Sequence, residues 1–225
     1  MQFILKGITN DQFIGKFSKP VVDQINFDLR PRSFNFTQAY NIKNIIEKNP
    51  YQQMYGLMFE NDKDFVVTEL FKDIQSSLKN HDELILEFTG DTFLKDLENL
   101  NLPYIWHYQA EEKISNIANC KHLKRIVFKH SYLATLYENG ELWGFFNLFE
   151  QVATNIFFEV QLEWDTDIIL SMFEFFTLPI ISLEINSMVE KSYQHPDFDL
   201  IAKFIHNISE LFLDKDDNNE NSHNQ

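Results

Sequence analysis

The chain predicts an α/β fold, a single-domain (β/α)8 barrel with a short first helix. Three observations carry this expectation. Short apolar runs alternate with helix-period segments from end to end, and eight such pairs can be counted. A strand, a helix and a further strand imply parallel pairing, because the chain must cross back over the sheet before the next strand. The length, 225 residues, also suits eight units, which usually close into a barrel at about 250 residues. An open doubly wound sheet is the alternative, and it would leave an edge that eight units do not require.

In order, strands are expected over residues 2–6, 22–27, 55–59, 84–88, 104–107, 125–130, 156–161 and 180–185. A short helix is expected after Asn10, and longer ones over 37–48, 65–78, 92–100, 111–119, 146–153, 165–175 and 197–212. Leu70, Ile74 and Leu78 recur at helical spacing in the segment 65–78, as do Ile201, Phe204, Ile205 and Ile208 in the last. Thr37, Asp165 and Asp197 stand where a side-chain oxygen could accept from first-turn amides. Pro103 and Pro179 stand just before strands, where the missing N–H stops the preceding helix. Residues 1–212 are expected to form the barrel, and the polar stretch 213–225 a disordered tail.

Composition narrows the class. Hydrophobic residues make up 44% of the chain and 23 are Phe, enough bulk for a full core. The formal net charge is −15, yet residues 1–50 carry seven Lys or Arg against four Asp or Glu. From Ser131 to Glu190 there is no Lys or Arg at all, against ten Asp or Glu. Such a segment offers no side-chain cation to a phosphate, a nucleic acid or an anionic membrane. One cysteine, Cys120, excludes an internal disulfide and fits a reducing compartment. With no signal-peptide pattern at the start and no apolar run of the ~20 residues that span a bilayer, the expectation is a cytoplasmic protein.

Four strings sit at matching places along the pattern. Leu5-Lys6-Gly7-Ile8-Thr9-Asn10 ends the first strand, and Pro31-Arg32-Ser33-Phe34 with Thr37-Gln38-Ala39 leads into the second helix. Thr89-Gly90-Asp91 ends the fourth strand. Ile185-Asn186-Ser187-Met188-Val189-Glu190 ends the eighth, with Ser192 and Pro196-Asp197 opening the last helix. Taken together they resemble phosphoribosylanthranilate isomerase, a TIM-barrel enzyme of tryptophan biosynthesis that performs an Amadori rearrangement. The resemblance implies a general base just before Gly7-Ile8-Thr9 and a general acid at the end of the sixth strand. Lys6 and Lys129 stand at those two positions, in place of the family's cysteine and aspartate. Two ammonium groups cannot share proton abstraction and donation as a thiol and a carboxyl do, and an ordinary lysine, pKa ~10.4, is a poor base at neutral pH.

The resemblance also implies a phosphate cradle of glycine-rich turns after strands six to eight, where backbone amides approach the anion. Here the matching stretches are Leu142-Trp143-Gly144-Phe145, Glu159-Val160-Gln161 and Ser187-Met188. Side chains fill the space, and Glu159 adds a like charge. The expected molecule is therefore a divergent, isomerase-like barrel without isomerase activity, acting as a non-catalytic binding or regulatory protein. An enzyme of altered specificity, isomerase-like or lysine-dependent, on a small anionic and unphosphorylated substrate is the alternative. An acidic inhibitor of a basic protein is a second.

Lys6, Arg32, Lys129 and Ser187 are the ligand-binding candidates, with a small anionic ligand expected at the barrel mouth. Arg32 matches the arginine that contacts the substrate carboxylate in the family the chain resembles. Against these roles, both lysines could pair with Asp28, Glu87, Glu159 or Glu184 and plug the mouth. A carboxylate-paired lysine is held protonated, which works against a Schiff-base nucleophile. Cys120 reads as a small core residue, and His195-Pro196-Asp197-Phe198-Asp199 as a helix start rather than a metal site. No metal or cofactor is expected. Lys121-His122-Leu123-Lys124-Arg125 forms a basic patch on the side opposite the mouth, too short in so acidic a chain to argue for nucleic acid.

Overall fold

Strands buried on both faces need cover on both, and that requirement sets the architecture. In the computed structural model, which describes residues 1–17, 21–49, 54–80, 83–90, 93–153, 155–176 and 179–222, eight parallel strands close on themselves. They are β1 (Gln2–Lys6), β2 (Gln24–Asp28), β3 (Met54–Phe59), β4 (Leu84–Phe88), β5 (Tyr104–His107), β6 (Leu123–Lys129), β7 (Phe157–Leu162) and β8 (Ile180–Glu184). Each pairs with the next in chain order, and β8 returns to β1 in a register that sets Gln2 beside Ile180 and Lys6 beside Glu184. The expected closed barrel is what forms.

The outer layer consists of α1 (Gln12–Lys16), α2 (Ala39–Lys48), α3 (Asp64–Gln75), α4 (Leu94–Asn99), α5 (Ile114–Ile117), α6 (His130–Glu138), α7 (Leu142–Val152) and α8 (Phe198–Ser222). Most of the buried apolar residues form one cluster between these helices and the outer face of the strands. Phenylalanine supplies much of it. Phe128 of β6 meets Phe145, Phe146 and Phe149 of α7 edge-on, with ring centroids 5.6, 5.9 and 5.4 Å away. Edge-to-face contacts of this kind add to the area they bury.

Three local expectations need correction. The sixth unit holds two helices, because Asn139 and Gly140 stop α6 and the chain turns at once into α7. Gly140 takes a φ of +72°, a conformation glycine adopts without penalty. Residues 165–175 are not an α-helix. Only Leu170–Phe175 winds, as a 3-10 turn, and it lies against α7 with Phe146 stacked on Phe175 at 5.3 Å. Thr37 does not cap α2. Its hydroxyl is turned inward and donates to the carbonyls of Ile8 and Asn35. Asp197 does cap α8, its Oδ1 accepting from the Leu200 amide at 3.2 Å. The backbone of α8 runs helical through Ser222, into the stretch expected as a tail, and residues 223–225 lie outside the described residues.

Candidate functional site

Side chains alternate across a strand, so every second residue of each strand faces the inside of the barrel. In most such barrels these positions hold branched apolar residues in layers. Here Ile85, Ile105 and Val127 form only a small apolar cluster, separate from the main core. Two residues onward along β4 stands Glu87, and two residues before Val127 on β6 stands Arg125.

The inward polar residues form a closed ring. Lys6 Nζ lies 2.5 Å from Glu87 Oε1 and 2.6 Å from Glu159 Oε1, and all three side chains are 0% exposed. His107 Nε2 donates to Glu87 Oε1 at 2.6 Å, and Asn26 Nδ2 donates to Glu87 Oε2. Gln24 Nε2 donates to Asn26 Oδ1 at 2.7 Å. Arg125 Nη1 then bridges Gln24 Oε1 at 3.2 Å and Glu159 Oε2 at 2.9 Å, which closes the circuit back to Lys6. The members come from β1, β2, β4, β5, β6 and β7. Lys6 and Arg125 balance Glu87 and Glu159, so the buried ring is neutral.

That balance fixes the charge states. Burial would lower the Lys6 pKa, but attraction to Glu159 and Glu87 outweighs it and holds the amine above its ordinary value. Burial would likewise raise Glu87, yet Lys6 and His107 keep it well below the carboxylate range. Glu159 is depressed against its own burial by Lys6 and Arg125. Lys6 is therefore held protonated, with a carboxylate on each of two sides.

Above the ring, at the C-terminal strand ends, lies a cavity of about 700 Å³. Lys129, Ser187, Trp164, Glu163, Asp165 and Glu184 are among the residues that line it. Three of these six are carboxylates and one is a cation. Asn35 Oδ1, His130 Nε2 and Gln161 Oε1, on side chains that also line the cavity, are buried with no hydrogen-bond partner among the described residues. Burial pushes the His130 pKa down, so its ring is neutral at pH 7.

The four sequence candidates separate. Lys129 and Ser187 meet at the cavity, both exposed. Lys6 is sealed beneath in the ring, so the two lysines do not face each other across the rim. Arg32 is exposed in the turn before α2 and lines none of the mouth cavity. The arginine at the mouth is Arg30, not Arg32. Its Nη2 reaches Asp28 Oδ2 at 2.5 Å and Glu184 Oε1 at 2.6 Å, and its Nη1 donates to Thr89 Oγ1 at 3.2 Å. The signal was available: Asp28 and Arg30, two residues apart on an extended run, share a face. Asp91, the last residue of the string that ends β4, and Thr92, the first of the helix expected over 92–100, lie outside the described residues. Among the described residues no cluster of His, Cys, Asp or Glu could hold a metal ion, and no helix is long and apolar enough to cross a membrane.

Comparison with solved structures gives the same architecture. The chain superposes on phosphoribosylanthranilate isomerase from Thermus thermophilus with a TM-score of 0.66 at 13% identity, covering 94% of this chain and 100% of that one. The Thermotoga maritima isomerase gives 0.66 at 13%, covering 92% and 98%. An isomerase crystallised with reduced 1-(o-carboxyphenylamino)-1-deoxyribulose 5-phosphate gives 0.65 at 14%, covering 91% and 96%. No protein-family model and no curated protein matches the chain by sequence. The fold is thus that of a phosphoribosylanthranilate-isomerase-like TIM barrel.

Proposed function

We propose that this barrel has no phosphoribosylanthranilate isomerase activity and serves as a binding protein for a small polar ligand held at its mouth. The observation that carries the reading is the state of Lys6. At the position where the resemblance calls for a general base, a buried ammonium is clamped by two carboxylates. It has no lone pair to accept a proton, and none to attack a carbonyl in Schiff-base chemistry. Lys129, at the position of the acid, is an exposed residue on the rim.

The mouth itself supports a ligand without a phosphate. Glu163, Asp165 and Glu184 line the cavity against one lining cation, Lys129, and although Arg30 pairs with Glu184 it is also shared with Asp28, so the carboxylates stay in excess. A phosphate dianion would meet net repulsion there. The unpartnered acceptors and the neutral imidazole of His130 favour a neutral or cationic molecule rich in hydroxyl or amino groups, one that can satisfy buried polar atoms.

Two measurements test the reading. Purified protein supplied with phosphoribosylanthranilate should show no turnover above the uncatalysed rate, and turnover abolished by Lys6→Met would overturn the assignment. In calorimetric titrations ribose 5-phosphate should bind no more tightly than ribose. A phosphate-dependent gain of about tenfold or more, about 1.4 kcal/mol, would mean that the mouth still selects phosphate.

A further inference from the structure

At the end of the barrel opposite the mouth, the strand starts surround a second cavity of about 650 Å³. Its wall is largely apolar, with Met54, Leu84, Phe157 and Ile180 contributed by the first residues of four strands and Phe71 by α3. Phe157 is 58% exposed and Met54 38%, an apolar surface open to solvent where barrels of this kind usually carry only structural contacts. The charge in this wall has a single sign. Lys124 and Arg125 line it, Arg125 with Glu159 against its inner side, and no Asp or Glu lines it among the described residues. In a chain with a net charge of −15 that is a local inversion, and it is the basic patch of the sixth strand that the mouth does not use.

Arg125 gives the cavity a specific chemical demand. Its Nη1 is occupied by Glu159 and Gln24, but its Nε is buried with no hydrogen-bond partner among the described residues. A guanidinium presents five donors in a fixed fork, so one carboxylate of the ring does not exhaust it. Nε itself is shut off from solvent, so an incoming oxyanion would pair with Nη2, which makes no hydrogen bond among the described residues.

We propose that this cavity binds an apolar monocarboxylate, with its carboxylate against Arg125 and Lys124 and its hydrocarbon part along Phe157, Met54 and Ile180. The volume lies within the ~300–1,000 Å³ of small-molecule sites, and the lining combines an apolar wall with a few convergent polar groups, as such sites do. The charge-assisted contact supplies orientation, and apolar burial supplies most of the affinity. The site is separate from the mouth and does not depend on the function proposed for it.

The test is isothermal titration of the full chain with decanoate, and with 1-decanol as its uncharged counterpart. Decanoate is expected to saturate a single site, with decanol weaker by about tenfold or more, the value of a hydrogen bond to a charged group. Lys124→Glu and Phe157→Asp, both at exposed positions, should each weaken decanoate by about tenfold. Met188→Glu, at the mouth, should leave it unchanged. Absence of saturable binding would overturn the proposal. So would equal binding of decanol, or loss of decanoate on Met188→Glu with retention on Lys124→Glu.

Discussion

Lys6 is the residue on which the interior depends. It is a cation wholly out of water, and only Glu87 and Glu159 make its burial tolerable. Removing one partner from a buried pair leaves an uncompensated charge, so Lys6→Met is expected to cost ~3–5 kcal/mol, read as a lower urea midpoint. A loss under about 1 kcal/mol, the range of exposed pairs, would mean that water reaches the ring. The same groups set the pH response. Glu87 and Glu159 have folded-state pKa values depressed below the ordinary 4.5, so their contribution is complete above that value and is lost as pH falls below it. Lys6 is raised above 10.5, so its contribution is complete below that value and is lost only at still higher pH. Urea midpoints should therefore fall steeply below pH 4.5, and Glu87→Gln should flatten that acid limb. An unchanged acid limb in Glu87→Gln would remove Glu87 from the explanation. At this scale the sequence was partly legible. Glu87 and Glu159 could be named as partners because a buried lysine needs carboxylates on inward strand positions. Gln24 and Asn26 go unnamed, and Arg125 is read only as part of the basic patch opposite the mouth, although Gln24, Asn26 and Asp28 alternate on one strand and so must share the interior face.

At the scale of elements, the turn after β1 shows how backbone freedom places the mouth. Gly7 has a φ of +78°, and a Cβ there would lie 2.5 Å from Asn35 Nδ2. That nitrogen donates to the Ile185 carbonyl at 2.5 Å, tying the chain before α2 to the end of β8. Gly7→Ala therefore meets two penalties, a left-handed backbone at ~1–2 kcal/mol and a displaced buried hydrogen bond of similar size. The expected loss is about 2 kcal/mol or more, and a change within ~0.5 kcal/mol, as at an ordinary surface site, would show that the loop simply gives way. Strands were the most legible elements, since each is a short apolar run between turn residues, and all eight lie where the sequence puts them to within a few residues. The helices were less so. Leu142, Phe146 and Phe149 repeat at helical spacing, but the start of α7 was missed and α6 entirely, because His130–Glu138 buries only His130 and Leu133 and shows little apolar stripe. The helix expected over 165–175 failed for the opposite reason. Its aromatic residues pack against α7, and tertiary contact overrides local propensity.

Over the whole molecule, charge is divided sharply between inside and outside. The ring is neutral, and Asp28 is matched by Arg30, so the buried pairs cancel and the net −15 belongs to the rest of the chain. Like charges spread over a surface repel one another and oppose the compact state. Salt shortens their reach from ~30 Å at 0.01 M to ~10 Å at 0.1 M and ~3 Å at 1 M, while contacts sealed inside the barrel are screened far less. Stability should therefore rise with ionic strength. A relief of ~1 kcal/mol raises Tm by ~2–4 °C in a protein of this size, so scans in 10 mM and 500 mM sodium chloride at pH 7 should differ by at least that much. The increment should be the same in Glu87→Gln, because that carboxylate lies outside the screened set. A Tm that falls with salt would mean that exposed attractive pairs such as Lys43 with Asp73 and Lys48 with Asp11 outweigh the general repulsion. The surface would then be stabilising the barrel through specific pairs, and the neutral ring would no longer be the principal electrostatic support of the fold.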